Sequence, residues 1–378
     1  MKKKTILVLI VSFILTQIAV SQTRFGAAQE PIGFKFTTWN TEWLSCSQYG
    51  PTDENLQLNN IVTVIKAINP DVLALQEVGT SSLYSSIDTL VRRLGIEWGG
   101  AMVASSSYDN CGQNQGLIYK KAKIQFLNAS LMTNAGASYD WSSGRFPVLY
   151  NINLLAGDTS IPVSFINIHA KAMGDETSYS RRKNASIALK TLLDGSGYNT
   201  KRVVVLGDLN DYLVGTQCNS CLQAESPYKN FMDDVQNYKC LTSTLQDPYY
   251  GSPVIDNIII SNELVGNYKA NSTIRELTAT QGVSNYFNTT SDHVPVSAIF
   301  SNFTNTSTIA IRQSETIIRV VGKNIRIENQ QQLPVTVFDI TGRVLFSVNP
   351  IQSVEIPVLQ SGIYIIRTGN KANKVVVE

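Results

Sequence analysis

Short apolar runs that begin or end on a carboxylate, a histidine or an asparagine recur along this chain, and they constrain its fold more than any other feature. DVLALQE closes on Glu77, VVVLGD on Asp208 and FKFTTWN on Asn40, while DNIIIS opens on Asp256 and VSFINIHAKA carries His169 just past its apolar stretch. Burying a carboxylate at the end of a strand is costly unless it is paired or binds a metal. The pattern therefore predicts strands whose polar ends converge. Several oxygen donors converging in this way favour a hard cation such as Mg²⁺ over zinc, which wants more nitrogen or sulfur.

The runs at 35–40, 72–76, 116–120, 148–155, 163–169, 203–206 and 254–261 read as strands, bounded by Gly, Pro, Asn and Asp. Apolar residues at 58, 61, 62, 65 and 68 have helical spacing, and Asn69-Pro70 stops that helix. A second helix is predicted over 179–193, with Ile187, Leu189, Leu192 and Leu193 inward and Arg181, Arg182, Lys183 and Lys190 mostly outward. Many strands with few helices between them argue for packed sheets flanked by helices rather than a simple parallel α/β sheet.

The ends of the chain read differently from its middle. Lys2, Lys3 and Lys4, an apolar run to Val20 and the small residues around Ser21 predict a signal peptide over 1–21, with a membrane anchor as the alternative. No other stretch approaches a spanning length, so no stable membrane insertion is expected. Residues 301–309, beginning SNFTNTS, are polar and turn-rich and predict a linker between a domain at 22–300 and a small β-sandwich at 310–378. The mature length of more than 350 residues suits one large domain plus a small one, and 43% hydrophobic against 16% charged residues supports a sizeable core.

Charge excludes one class of nucleic-acid binder. Residues 22–309 carry 20 Lys and Arg against 24 Asp and Glu, a net charge near −4. A broad basic face is absent, so a polyanionic ligand would need a bound cation and a few local basic residues. Five cysteines in an exported chain read first as disulfides with one thiol left over. Cys46–Cys111 and a bond from Cys240 to Cys218 or Cys221 are the expected pairings. A zinc or redox role for the C-x-x-C at 218–221 fits less well, since no second C-x-x-C exists.

There are two histidines, His169 and His293, and both sit at strand ends or beside a carboxylate. A lone histidine is usually structural. Two in this setting suit acid–base chemistry or transition-state stabilisation near neutral pH.

TTWNTEWL, LALQEV, INIHAK, VLGDLND, VIDNIII and SDHVPV, in this order and spacing, resemble the endonuclease/exonuclease/phosphatase superfamily, most nearly its deoxyribonuclease-like branch. The resemblance implies a four-layer α/β/β/α sandwich of two packed, mostly antiparallel sheets, and hydrolysis of a phosphodiester with Mg²⁺, or with Mn²⁺ or Ca²⁺. It implies Asn40 and Glu77 as the metal-site pair, Glu77 binding Mg²⁺ directly, with Asp292 placed to join them. Asp208 and Asn210 would orient or deprotonate the attacking water and hold the phosphate. His293, oriented by Asp256, would face the scissile phosphate, His169 would protonate the leaving oxygen, and Arg145 would contact phosphate. One departure is Gln113, which stands where that branch has a glutamate to pair with the second histidine. A neutral amide stabilises imidazolium less well.

The tail, VTVFDITGRVL followed by LQSGIYIIRT, resembles the C-terminal sorting domain of type IX secretion. An accessory binding module is the alternative. The expectation is therefore an exported, monomeric enzyme acting on nucleic acid, DNA foremost, with the secretion machinery as its other partner. A sphingomyelinase or phosphomonoesterase of the same superfamily is the rival enzyme, and a non-catalytic surface-binding protein is the rival from another class.

Overall fold

The structure is a computed structural model. It describes residues 33–79, 86–104, 111–157, 159–222, 225–247, 251–303, 317–321, 324–328, 334–348, 353–357, 361–368 and 371–377. The expected leader at 1–21 and the part of the expected linker beyond residue 303 lie outside the described residues.

The first half of the large region runs β1 (Phe34–Leu44), α1 (Glu54–Ile68), β2 (Val72–Val78), α2 (Ser86–Leu94), β3 (Trp98–Val103), β4 (Asn114–Lys120), β5 (Ile124–Leu131) and β6 (Val148–Ala156). It continues through β7 (Thr159–His169), α3 (Glu176–Asp194), β8 (Val203–Asp208), α4 (Lys229–Asp233), β9 (Tyr238–Cys240), β10 (Gln246–Asp247), β11 (Ser252–Pro253) and β12 (Asp256–Ser261). It closes with α5 (Asn262–Val265), β13 (Ile274–Arg275), α6 (Leu277–Thr280), α7 (Tyr286–Thr289) and β14 (Val296–Phe300).

Two six-stranded sheets result, ordered β13-β14-β1-β2-β4-β3 and β5-β6-β7-β8-β12-β9. Period-2 alternation decides what each strand buries where. Phe34 and Phe36 of β1 point inward, with Val148, Tyr150, Val204, Leu206 and Ile258, into the core between the sheets. Trp39 and Leu73 point the other way, onto α1 and α2 through Leu58, Ile61, Ile65 and Leu90. On the far side of the second sheet, Ile166, Ile168 and Val205 meet Ala185, Leu189 and Leu193 of α3 and Phe231 of α4. Three cores between four layers make the α/β/β/α sandwich.

Local chemistry sets the helix ends. The Asp53 side chain accepts from Leu56 N at the start of α1, and Asn69 closes it in the left-handed conformation (φ 55°) ahead of Pro70. Asp175 caps α3 by accepting from Ser178 N. The face of α3 differs from expectation. Arg181 and Arg182 are buried and Ile187 is 48% exposed. Arg182 points inward because Asp211 supplies a carboxylate there, with Oδ2 accepting at 2.7 Å and 3.0 Å.

Cys46–Cys111 forms as expected. The second pairing is corrected: Cys218 bonds Cys221 and Cys240 is the free thiol. Cys240 sits on edge strand β9, facing the core of α3 and α4, out of the loop that brings Cys218 and Cys221 together. Its burial pushes the thiol up to about 12, which suits an inert side chain.

The tail forms β15 (Ile317–Val321), β16 (Asn324–Glu328), β17 (Val335–Asp339), β18 (Val344–Val348), β19 (Ser353–Pro357), β20 (Gly362–Thr368) and β21 (Lys371–Val377). Sheets ordered β15-β16-β19 and β18-β17-β20-β21 share a core of Ile325, Ile327, Val335, Val337, Ile356 and Ile366. Among the described residues, no helix is long and apolar enough to cross a membrane.

Candidate active site

Strand register assembles the site. On the second sheet β8 lies between β7 and β12, with Asp208 opposite His169 on one side and opposite Asp256 on the other. Gly207 makes this possible. It has φ 141°, and a Cβ there would stand 2.0 Å from the Ile168 carbonyl oxygen, so only glycine lets β8 sit this close to β7. On the first sheet β1 and β2 run parallel with Asn40 opposite Gln76, which brings Asn40 beside Glu77. A buried polar tie joins the sheets beneath: Gln76 Nε2 donates to Asn167 Oδ1 at 2.7 Å, and Asn167 Nδ2 donates to the Leu75 and Gly116 carbonyls.

Asn40 bridges the two sheets at the surface of the site. Its Nδ2 donates to Glu77 Oε1 at 3.1 Å and to Asp208 Oδ2 at 3.0 Å, and its Oδ1 accepts from Glu42 N at 3.0 Å. Glu77 Oε2 accepts from Trp43 N at 3.1 Å. Glu77 has φ 56°, a left-handed conformation worth roughly 1–3 kcal/mol of strain in a non-glycine residue and concentrated at functional sites. Burial raises its carboxyl above the ordinary range despite the Asn40 hydrogen bond.

His169 is buried, its Nε2 lying 3.5 Å from Glu77 Oε1 and 3.6 Å from Asp208 Oδ2. Its Nδ1 has no hydrogen-bond partner among the described residues. Burial, then Arg145 and His293, push the imidazole well below its usual pKa, so the ring is neutral near pH 7. The expected Gln113 partnership is corrected, because the Gln113 side-chain oxygen accepts from Arg145.

His293 is the opposite case. Its Nδ1 donates to Asp256 Oδ2 at 2.7 Å, and its Nε2 lies 3.9 Å from Asp208 Oδ2 and 3.8 Å from Asp292 Oδ1. Burial alone would lower its pKa, but Asp256, then Asp208, override this and hold it well above the ordinary histidine range. Trp39 Nε1 and the Tyr286 hydroxyl donate to the His293 carbonyl, and Ser291 Oγ ties this loop to the Asn40 carbonyl at 2.7 Å. Asp292 stands at the rim with its side chain 61% exposed.

Asn210 has φ 50°, its N–H donates to Asp208 Oδ1 at 2.9 Å, and its Nδ2 reaches Asp208 Oδ2 at 3.2 Å. Arg145 is buried. It donates to the His169 carbonyl at 2.8 Å, the Ala170 carbonyl at 2.7 Å and Ser142 Oγ at 3.2 Å, which makes it a strut under the loop after β7. Glu42 and Lys171 were not singled out by the motifs, although each lies two residues past a site residue. Nearness in sequence to Asn40 and His169 is the signal that could have found them. Burial, Asp292 and Glu77 push the Glu42 carboxyl up to about 7.

Ligand atoms of Asp208, Asp256 and His293 lie within 4.8 Å of one another. Glu42 Oε2 and Asp256 Oδ1 are buried without a hydrogen-bond partner among the described residues. A surplus of crowded carboxylate oxygen with imidazole nitrogen and no thiolate is a donor set able to coordinate a divalent metal.

The sequence profile described as the Endonuclease/Exonuclease/phosphatase family matches residues 37–293. A second, described as the Secretion system C-terminal sorting domain, matches residues 321–378. Among solved structures, the chain is similar to an endonuclease/exonuclease/phosphatase from Bacteroides vulgatus at 15% identity and TM-score 0.51, covering 71% of this chain and 98% of that one. It is similar to another from Beutenbergia cavernae at 12% identity and TM-score 0.51, covering 91% and 100%. These likenesses concern the fold. No curated protein matches the chain.

Proposed function

The chain belongs to the endonuclease/exonuclease/phosphatase family, and from that premise we propose that it is an Mg²⁺-dependent phosphodiesterase that hydrolyses nucleic acid, DNA with little sequence preference. Its tail is a type IX secretion sorting domain, which fits a secreted or surface-attached enzyme. The observation that carries the catalytic reading is the crowding at one oxygen. Asp208 Oδ2 has Asn40 Nδ2 at 3.0 Å, Asn210 Nδ2 at 3.2 Å, His169 Nε2 at 3.6 Å and His293 Nε2 at 3.9 Å.

Glu77 would hold the cation, with Asn40 beside it and Asp292 at the rim. Asp208, Asp256 and His293 are also close enough to ligate, but the short His293–Asp256 hydrogen bond already engages that pair. When bound, the cation would neutralise phosphate oxygen charge. Asp208 accepts the proton of the attacking water, and Asn210 steadies the phosphate. His293, kept cationic by Asp256, stabilises the charge that grows in the transition state. His169 faces the same carboxylates as a neutral ring able to donate one hydrogen bond.

Purified protein assayed on plasmid DNA, RNA, sphingomyelin and p-nitrophenyl phosphate, with Mg²⁺ and with chelator, tests the reading. DNA cleavage should require Mg²⁺, or Mn²⁺ or Ca²⁺ in its place. Glu77→Gln should lower activity on the order of 10²-fold or more at an unchanged melting temperature. Full activity in EDTA, or hydrolysis confined to sphingomyelin or the monoester, overturns it.

A further inference from the structure

The cavity lined by Glu77, Asp208 and His293, of about 350 Å³, is lined also by Lys171 and Arg181. The basic groups around it are used very differently. Arg182 is consumed by the Asp211 carboxylate and by the Lys171 and Met173 carbonyls, each at 2.7 Å. Arg145 is spread over protein oxygens. Among the described residues, Lys171 Nζ has only the carbonyl of the next residue, Ala172, at 3.0 Å. Arg181 commits Nε and Nη2 to the Tyr139 carbonyl and lies over the Tyr139 ring at 4.1 Å, while its Nη1 has no hydrogen bond among the described residues.

Neither Lys171 nor Arg181 forms an ion pair among the described residues. Burial, then Arg181, disfavour the ammonium of Lys171, and Arg145 and Arg182 add to this against Asp175 alone. In a region with net charge near −4, a nine-tenths-buried guanidinium and a half-buried ammonium facing one cavity lack an anion. In the reading above, the bound cation, His293 and Asn210 would serve the scissile phosphate, which leaves these two cationic side chains without a role.

We propose that Lys171 and Arg181 form a second phosphate subsite, which seats the phosphate next to the scissile one and selects substrates with two or more phosphates on one backbone. This rests on the phosphodiesterase reading and narrows its substrate class, away from diesters with a single anionic charge.

The test compares thymidine dinucleotides bearing no terminal phosphate, a 5′-phosphate or a 3′-phosphate, with Mg²⁺ present. Wild type should favour one phosphorylated form by about tenfold or more in kcat/KM, the size expected of a charge-assisted hydrogen bond. Lys171→Met should bring the ratio near one, Lys171→Arg should restore it, and Arg181→Gln should lower it. Binding of single-stranded DNA in chelator gives a second readout. The slope of log K against log salt should become shallower by about 0.7 in Lys171→Met, because one phosphate fewer is neutralised. A wild-type ratio of one, or a ratio and slope unchanged in folded Lys171→Met, overturns the subsite. If no polynucleotide is cleaved with any cation, the catalytic reading falls, and the salt slope still judges the subsite.

Discussion

His293 Nδ1 and Asp256 Oδ2 meet at 2.7 Å, with Asp256 lying opposite Asp208 across the β8–β12 ladder. One hydrogen bond thus orients the ring and keeps it charged, and the neighbouring strand supplies the carboxylate that its other nitrogen faces.

That pair predicts a pH signature. In the metal-free protein the His293 ring should remain protonated above pH 7 by NMR, and Asp256→Asn should lower its pKa. A histidine whose folded pKa is raised stabilises the fold fully below its unfolded value of about 6.5. That contribution fades as pH rises through the folded value. Wild type should therefore lose stability on the alkaline side, and Asp256→Asn should lose less. A ring that titrates at an ordinary pH in wild type would contradict this.

The two histidines should separate kinetically. His293→Ala should cost on the order of 10²–10⁴-fold in kcat. Burial, then Arg145, disfavour the charged form of His169, so a role through a hydrogen bond predicts that His169→Gln stays within about tenfold of wild type. Equal losses for His169→Gln and His293→Ala on DNA, together with recovery of the His169 variant on a p-nitrophenyl diester, would return it to the role of leaving-group acid.

Arg182 and Asp211 form a fully buried pair at 2.7 Å. Arg182→Met should destabilise by about 3–5 kcal/mol, because it strands a buried carboxylate. Arg182→Met with Asp211→Asn should recover part of that loss. Because Asp211 follows Asn210 directly, the single variant should also weaken catalysis. Urea melts of the four proteins in this cycle decide it. A single variant as stable as wild type would show that the pair does not hold this part of the fold.

Cysteine chemistry is checkable by mass. The unreduced, denatured protein should titrate one free thiol, and peptide mapping should place it at Cys240, with Cys218 linked to Cys221. Breaking Cys46–Cys111, which closes a 65-residue separation, should cost about 2–4 kcal/mol. A linked Cys240 would restore the pairing expected from sequence.

Much of this was legible in the sequence, because polar residues at the ends of apolar runs state both the strand and its unusual end. Asn40, Glu77, His169, Asp208 and Asp256 are all found that way, and α1 could be read from its spacing and its Asn69-Pro70 stop. Strands β3 and β5 were not. WGGAMV is glycine-rich, and IQFLNASL is a partly exposed edge strand, so neither shows a clear apolar period. Glu42 was missed because positive φ at Glu42 and Trp43 turns the chain where alternation would have carried it on.

Local chemistry and periodicity, written residue by residue, determined the layers and which polar residues stand at the strand ends. Several partnerships were decided by the tertiary structure alone. Whether Arg182 faces solvent or core depends on Asp211, 29 residues away, and whether Gln113 serves His169 depends on where Arg145 arrives. Cys218 bonds Cys221 because the loop folds on itself while Cys240 lies on a strand. A buried charge or thiol takes the partner that the packed backbone delivers, and that delivery comes from contacts between distant segments rather than from any window of sequence.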